Sequence, residues 1–219
     1  MLDIMNKVFF PGGEYKLKDC MDLRLRTEID KIFKVAGYDG SYTWYGQWQE
    51  DMRPVIKVFL LKGNSGILEW GWNYNFLSEY HSGRMQYFRT EKNAKPQLRT
   101  LPSGFVAIKE WRQNLLPCCS SDKAMLMRII GQVWKKTRPE IRDWYRRVNS
   151  YESMIEELER QINYGKYYAL LLPQQEYIKA FLLAKTGRGE AALRSLERTR
   201  FWNEADERLR EKVIQRLPG

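Results

Sequence analysis

The chain has 219 residues, of which 43% are hydrophobic and 29% are charged. This balance is typical of globular proteins and argues against disorder over most of the chain, and no apolar run reaches the length of a membrane span. The formal net charge is +10, which suits an acidic partner, either a protein or a nucleic acid, although arginine-rich helices can also be merely solvated. We therefore expect an acidic partner and no membrane partner.

The first predicted element is a helix over residues 21–36, because apolar residues recur there on one helical face and Gly37 follows as a stop signal. The apolar residues of that face are Leu25, Ile29, Ile32, Phe33 and Ala36.

Strands follow the helix, because the hydrophobic period changes from a helical one to two. We predict strands over 42–48, 55–62 and 67–76, with the last two joined into a hairpin by the glycine-rich turn 63–66. A fourth strand is predicted near Met85–Thr90. A short helix is predicted over Val106–Leu115.

From Ser121 onward the periodicity is helical. The helices are predicted from their caps and breakers: one capped by Ser121, one with Pro139 in its first turn, one capped by Ser150, one over 167–185 or broken at Pro173, one around 191–196 after the turn at Gly187 and Gly189, and one around 205–217.

This order of elements predicts an α+β fold, since strands and helices are segregated along the chain rather than alternating. We expect an antiparallel sheet of three to four strands, covered by the N-terminal helix and followed by a helical C-terminal half. We place an α+β sheet domain at 1–115 and a helical region packed on it at 116–219. One continuous domain remains the alternative.

Cysteine and histidine usage limits the chemistry. Cys20, Cys118 and Cys119 do not make a disulfide framework and the N-terminus lacks a secretory pattern, so a cytoplasmic setting is expected. The single histidine, His81, excludes a two-histidine metal site, and it acts as a base for Cys118 or Cys119 only if the fold brings them together. No phosphate loop, dinucleotide motif or nucleophile elbow is present. We expect no cofactor, no metal and no catalytic residue.

The aromatic residues of the strands have two interpretations. The segment 67–76, ILEWGWNYNF, places large apolar side chains at every second position, as a core face would. Tryptophan and tyrosine are also enriched at protein interfaces and on surfaces that stack bases, so a half-exposed face would bind a partner. On the second interpretation the partner-binding candidates are Trp44, Trp48, Trp70, Trp72 and Tyr74.

Basic residues give a second set of partner-binding candidates, Arg138, Arg142, Arg146 and Arg147. The first three are spaced by four and share one helical face, which is either a solvated surface or an electropositive stripe for an acidic protein or phosphates. The acids interleaved with them weaken the nucleic-acid interpretation.

Four segments carry a resemblance to known proteins: AGYDGSYTWY, WGWNYNF, EIRDWYRRVNSYESMIEELER and YIKAFLLAKTGRGEAALRSLE. With these the chain resembles small bacterial α+β domains without assigned enzymatic activity, and it is similar to immunity proteins encoded beside polymorphic toxins. The resemblance implies a stoichiometric binder that occludes a toxin's active site and has no chemistry of its own. Immunity proteins against nucleases are commonly acidic, so this basic chain implies an acidic toxin or a different role.

The leading hypothesis is therefore a non-enzymatic protein-binding module, an immunity or antitoxin protein with an acidic cognate toxin. A nucleic-acid-binding protein that uses the same aromatic and basic residues is the alternative. A hydrolase of unrecognised type is the second alternative.

Overall fold

The computed structural model describes residues 14–61, 65–81, 84–100, 115–164 and 173–218, without the side chain of His81. The fold is α+β with antiparallel sheets. Its strands are β1 (Tyr15–Lys16), β2 (Val35–Tyr38), β3 (Thr43–Gly46), β4 (Met52–Leu61), β5 (Ser65–Tyr74), β6 (Ser78–His81), β7 (Arg84–Tyr87), β8 (Leu98–Thr100), β9 (Leu116–Pro117) and β10 (Cys119–Ser120). Its helices are α1 (Leu17–Ile29), α2 (Lys123–Arg147), α3 (Tyr151–Tyr164), α4 (Gln175–Lys185), α5 (Gly189–Glu197), α6 (Arg200–Glu204) and α7 (Glu207–Ile214).

The main sheet is built on a long antiparallel hairpin. Strands β4 and β5 pair over ten consecutive residues, from Met52 opposite Tyr74 to Leu61 opposite Ser65. The full order is β2-β3-β4-β5-β8, and β9 also pairs with β5, so the described residues of the sheet form six strands instead of the three to four predicted. The predicted hairpin is therefore confirmed, while its turn residues 62–64 lie outside the described part.

The predicted fourth strand belongs to a different sheet. Strand β7 covers only the first half of the predicted range Met85–Thr90, and it pairs with β6 in a separate two-stranded sheet. The neighbour of β5 in the main sheet is β8, whose Leu98 lies opposite Trp72. A three-residue strand shows no alternation that sequence reading can detect, so its partner had to come from the structure.

The first helix begins and ends earlier than predicted. It covers Leu17–Ile29, and Val35 and Ala36 lie in β2 instead. A carboxylate oxygen of Asp30 accepts a hydrogen bond from the Val35 N–H at 2.9 Å, which favours a turn over a further helical turn. Two of the apolar residues that suggested a longer helix, Ile32 and Phe33, pack on the core from this connection.

One long helix replaces two predicted ones. Helix α2 runs through Pro139, which was expected in the first turn of a new helix. Its cap is Asp122 rather than Ser121, because an Asp122 carboxylate oxygen accepts a hydrogen bond from the Met125 N–H at 3.0 Å. A proline inside a helix costs about 3 kcal/mol. The helix buries an apolar stripe on both sides of it, including Val133 and Ile141, and this burial offsets the cost.

Later elements agree more closely with the sequence. The Ser150 hydroxyl accepts a hydrogen bond from the Ser153 N–H at 3.2 Å, so the predicted cap of α3 is confirmed. Helices α4, α5 and α7 lie within or near their predicted ranges, whereas α6 was not predicted. The predictions for 106–114 and 167–172 fall outside the described residues. Within the described ranges, no helix is long and apolar enough to cross a bilayer.

The core joins both halves of the chain. One hydrophobic cluster contains Leu25 of α1, Trp70 of β5, Ile141 of α2, Leu158 of α3 and Phe181 of α4. Helix α1 was expected to cover the sheet, and it contacts α2 and shares the core with it. The division into two regions at residue 115 stays a prediction.

A tyrosine of α2 reaches between the two central strands. The Tyr145 hydroxyl lies 2.9 Å from the carbonyl oxygens of both Val55 and Gly71, and 3.2 Å from the backbone nitrogens of the same two residues. It therefore donates to one carbonyl at a time and accepts from both N–H groups. Burial raises the pKa of the phenol, so the hydroxyl keeps its proton.

We expect Tyr145→Phe to lower the free energy of unfolding by about 1–3 kcal/mol, because it leaves buried backbone groups of β4 and β5 with fewer partners. Urea unfolding followed by circular dichroism measures this. Tyr80→Phe, in a side chain that is 45% exposed, is the control and should change stability by less than about 0.5 kcal/mol. If the Tyr145 variant were as stable as the native chain, the backbone groups of β4 and β5 would not need hydrogen bonds from the hydroxyl.

Candidate functional site: a cationic cluster beside an aromatic cavity

Four of the five aromatic candidates are core residues. Trp44, Trp70, Trp72 and Tyr74 are at most 5% exposed. The prediction that they form an accessible partner surface is therefore wrong, and the interpretation of the segment as a core face is confirmed. Alternation shows which side chains share a face, but it does not show what covers that face.

Two of these rings, Trp72 and Trp44, attach helical segments to the sheet through their indole N–H groups. The indole N–H of Trp72 donates to the carbonyl oxygen of Val148 at 2.6 Å, and the indole N–H of Trp44 donates to an Asp22 carboxylate at 2.9 Å. Such partners satisfy the polar edge of a ring whose remaining surface is buried. Both bonds join the sheet to helical segments, so these rings stabilise the fold.

Trp48 is the one aromatic candidate that stays partly exposed. The guanidinium of Arg53 lies 4.4 Å from the centroid of its ring, in a cation–π contact. Arg53 itself is buried and donates from Nε to the Asn73 side chain at 2.9 Å. One face of the Trp48 ring is therefore occupied within the fold.

The four arginine candidates of α2 and its end are exposed, but each already has an acidic partner. Their side chains are 46–71% exposed. The closest N–O distances are Arg138–Glu28 3.1 Å, Arg142–Asp143 3.3 Å, Arg146–Asp143 3.7 Å and Arg147–Glu157 2.9 Å. Each arginine of the predicted electropositive stripe thus has an ion-pair partner within the protein, although Arg142 and Arg146 share Asp143.

A second group of cations has a different environment. Arg84, Arg208, Lys212 and Arg216, here called the cationic cluster, surround a cavity of about 390 Å³. The other residues that line the cavity are Tyr80, Met85, Asp206 and Leu209. Four positive side chains and one negative side chain give the lining a formal charge of +3. Across the described ranges, none of the four cations lies within ion-pair distance of a carboxylate.

The spacing of residues along α7 explains why three of the four cations lie together. Arg208, Lys212 and Arg216 are spaced by four, which places them on one face of α7 and the turn that follows it. The helix is capped by Asp206, whose carboxylate accepts a hydrogen bond from the Leu209 N–H at 2.8 Å. Like charges at this spacing destabilise a helix by a few tenths of a kcal/mol per pair. The arrangement therefore costs stability within the chain.

An aromatic cavity lies next to the cationic cluster. Its volume is about 560 Å³, and Tyr80 lines both cavities. The aromatic cavity is lined by Glu79, Tyr80, Lys95, Pro173, Gln174, Tyr177, Arg200, Phe201 and Glu204. The Phe201 ring centroid lies 5.9 Å from that of Tyr80 and 5.6 Å from that of Tyr177, so three rings follow one another along the wall.

The charges of the aromatic cavity cancel in pairs. Glu79 and Lys95 are 2.6 Å apart, and Glu204 and Arg200 are also 2.6 Å apart. Burial lowers the pKa of the Lys95 ammonium, while the carboxylate of Glu79 acts against that shift. The cavity is therefore aromatic and close to electroneutral, in contrast to the cationic cluster beside it.

A buried network fixes this region to the main sheet. The Asn73 side-chain amide donates to Gln97 Oε1 at 3.0 Å, and Gln97 Nε2 donates to Glu79 at 2.8 Å. On the other side, the Tyr177 hydroxyl donates to the carbonyl oxygen of Ser78 at 2.8 Å. The hairpin β6–β7 is thus held from both the sheet and α4, so the positions of Tyr80 and Arg84 are set by the fold.

Sequence reasoning missed both parts of this region. The spacing of Arg208, Lys212 and Arg216 on the last predicted helix was a usable signal, but it was not singled out. Arg84 and Tyr80 lie far away in the sequence, and only the tertiary fold brings them to α7. The described residues contain no cluster of three side chains able to hold a metal ion.

The arrangement is suited to binding an anionic group at the cationic cluster and an uncharged ring in the aromatic cavity. In comparisons of this chain with family models, curated proteins and solved structures, none matches it.

Proposed function

We propose that the chain is a non-enzymatic binding module for an acidic protein, and that this partner docks on the cationic cluster. The observation that carries the proposal is the formal charge of +3 around one cavity, formed by cations that lack acidic partners among the described residues. Complementary charge accelerates association and disfavours wrong partners. The arginines of α2 are a weaker choice, because each has an ion-pair partner already.

The resemblance to immunity proteins supports a toxin as that partner. On this proposal the chain neutralises the toxin by occupying its surface stoichiometrically, in the cytoplasm. Three free cysteines, Cys20, Cys118 and Cys119, fit a reducing compartment of this kind. The basic character of the chain then requires an acidic toxin surface.

The shape of the cationic cluster favours a protein over a nucleic acid. The four cations all line one cavity. Helix α7 also carries Glu207 and Glu211, both exposed, close to Arg208 and Lys212 in sequence. These carboxylates would repel a phosphate backbone that runs along the helix, whereas an acidic protein patch of limited size avoids them.

The test is a charge-reversed variant in a capture experiment from the native cells. Tagged native chain, Arg208→Glu/Lys212→Glu and the control Arg24→Glu/Arg128→Glu are each used as bait, with and without nuclease, and the captured proteins are identified by mass spectrometry. Both variants change the formal charge equally, but the control positions are exposed residues of α1 and α2. Circular dichroism confirms that all three baits are folded.

We expect one dominant acidic protein that survives nuclease treatment, is retained by the control and is lost by the Arg208→Glu/Lys212→Glu variant. Its affinity for the native chain should fall as salt rises, because the contact is electrostatic. Loss of every captured protein on nuclease treatment would instead favour nucleic acid as the partner. Equal capture by both variants would show that the cationic cluster is not the docking surface.

A further inference from the structure

We infer that the acidic partner also inserts an aromatic side chain into the aromatic cavity, so that its recognition segment combines carboxylates with a tryptophan or tyrosine. The inference rests on the proposed function and adds the chemistry of the partner to it. Most of the binding energy of an interface commonly comes from a few anchors that fill pockets, surrounded by a charged or polar rim.

Continuity between the two cavities supports a single bound segment. Tyr80 is 45% exposed and lines both of them, so a chain bound between Arg84 and Lys212 lies beside a ring that also lines the aromatic cavity. A large exposed ring in this position offers its surface to a ligand on either side. Tyrosine and tryptophan are enriched where one part of a ring is buried and another stays accessible.

The charge of the aromatic cavity selects an uncharged occupant. An anionic group would meet the carboxylates of Glu79 and Glu204, and a cationic group would meet Lys95 and Arg200. Each of these charges is already paired, so a neutral group enters without separating an ion pair. The acidic residues of the partner are thus directed to the cationic cluster and its uncharged residues to the aromatic cavity.

The walls of the aromatic cavity favour a ring over an aliphatic side chain. Tyr80, Phe201 and Tyr177 already form tilted and edge-to-face contacts, and a further ring would extend that series. Aromatic pairs contribute beyond the area that they bury. The exposed carboxylate of Glu204 and the side chain of Gln174 can accept a hydrogen bond from an indole N–H or a phenol.

The test uses two fluorescein-labelled peptides that are rich in aspartate and glutamate and differ at one central position, tryptophan in one and alanine in the other. Their affinities are measured by fluorescence anisotropy with the full chain. The variants are Phe201→Leu, which removes a ring of the aromatic cavity, and Lys212→Glu, which removes a cation of the cationic cluster. Tyr80→Leu repeats the ring test at a more exposed position. Adenosine monophosphate is the competitor.

We expect the tryptophan peptide to bind the native chain about tenfold more tightly than the alanine peptide. Phe201→Leu and Tyr80→Leu should bring this ratio close to one without weakening the alanine peptide. Lys212→Glu should weaken both peptides and leave the ratio unchanged.

Three outcomes would overturn the inference. Binding of both peptides with equal affinity would show that the aromatic cavity takes no aromatic anchor, while the proposed function would stand. Binding of neither peptide would count against the proposed function itself. Tight binding of adenosine monophosphate that requires Phe201, with no peptide bound, would identify a nucleotide as the occupant instead.

Discussion

Gly71→Ala is expected to lower the free energy of unfolding by about 3 kcal/mol, the upper end of the usual cost of overpacking. A β-carbon on residue 71 would lie 1.8 Å from the carbonyl oxygen of Leu98 and 2.8 Å from Cα of Arg99. Both atoms belong to the backbone of β8, so no rotation of a side chain can relieve the contact. Strand β8 would have to move away from β5.

The expected loss of stability is informative because a glycine-to-alanine substitution usually has the opposite effect. Alanine in place of glycine within a strand ordinarily stabilises a protein by roughly 0.5–1 kcal/mol, because it reduces the freedom of the unfolded chain. Gly189→Ala is the matched control, since a β-carbon there meets nothing within 4 Å. Chemical denaturation of both variants measures the difference. A Gly71 variant as stable as the Gly189 variant would show that β8 does not lie against β5 as described.

Glu157→Gln is expected to lower the free energy of unfolding by about 1–3 kcal/mol. The carboxylate of Glu157 is buried and accepts hydrogen bonds from Arg147 at 2.9 Å, from Arg160 at 2.6 and 2.9 Å, from Gln161 at 3.0 Å and from Trp144 at 3.3 Å. A neutral amide replaces one acceptor oxygen by a donor, so part of this set loses its partner. Glu157 joins the end of α2 to α3, so the substitution would weaken the contact between these two helices.

The effect of Glu157→Gln should depend on pH. Burial by itself would raise the pKa of Glu157, but the donors from Arg160, Gln161 and Arg147 outweigh it and hold the pKa below its ordinary value. A carboxyl group with a lowered pKa in the folded state stabilises the protein above its unfolded pKa, and this stabilisation is lost as the pH falls through the folded value.

The destabilisation should therefore be full at neutral pH and should shrink below about pH 4.3, the ordinary pKa of glutamate. Thermal unfolding of the variant and of Glu156→Gln, an exposed neighbour, over a series of pH values would measure it. A difference between native chain and variant that does not change with pH would contradict the electrostatic explanation.

Sequence patterns predicted the local part of the fold well and the tertiary part poorly. The β4–β5 hairpin follows from alternation and a glycine-rich turn, both of which are local signals. The run of α2 through Pro139 depends on an apolar stripe whose partner surface lies elsewhere in the chain. An isolated glycine within a strand often marks a close backbone approach, so Gly71 carried a signal for β8 that alternation alone did not show.

The sequence predicted that the candidate site would be positively charged, but it did not predict which residues form the site. A basic excess indicated an acidic partner, but the positions of the ion pairs decided which cations are available. Arg138 is paired with Glu28 of α1, a contact between residues far apart in the sequence. The same limit applies to the aromatic residues, because alternation placed Trp70 on a shared face of its strand without showing what covers that face.

The contact of the Tyr145 hydroxyl of α2 with β4 and β5 has a consequence for the order of folding. The hairpin β4–β5 joins residues close in sequence, and such hairpins form in about 1–10 μs. The contact between Tyr145 and Gly71 closes a much longer loop, whose entropy must be lost before the hydroxyl reaches the strands. We therefore expect the hairpin to form first and α2 to dock onto it later in folding. Interactions formed that late chiefly slow unfolding, so we expect Tyr145→Phe to raise the unfolding rate more than it lowers the folding rate.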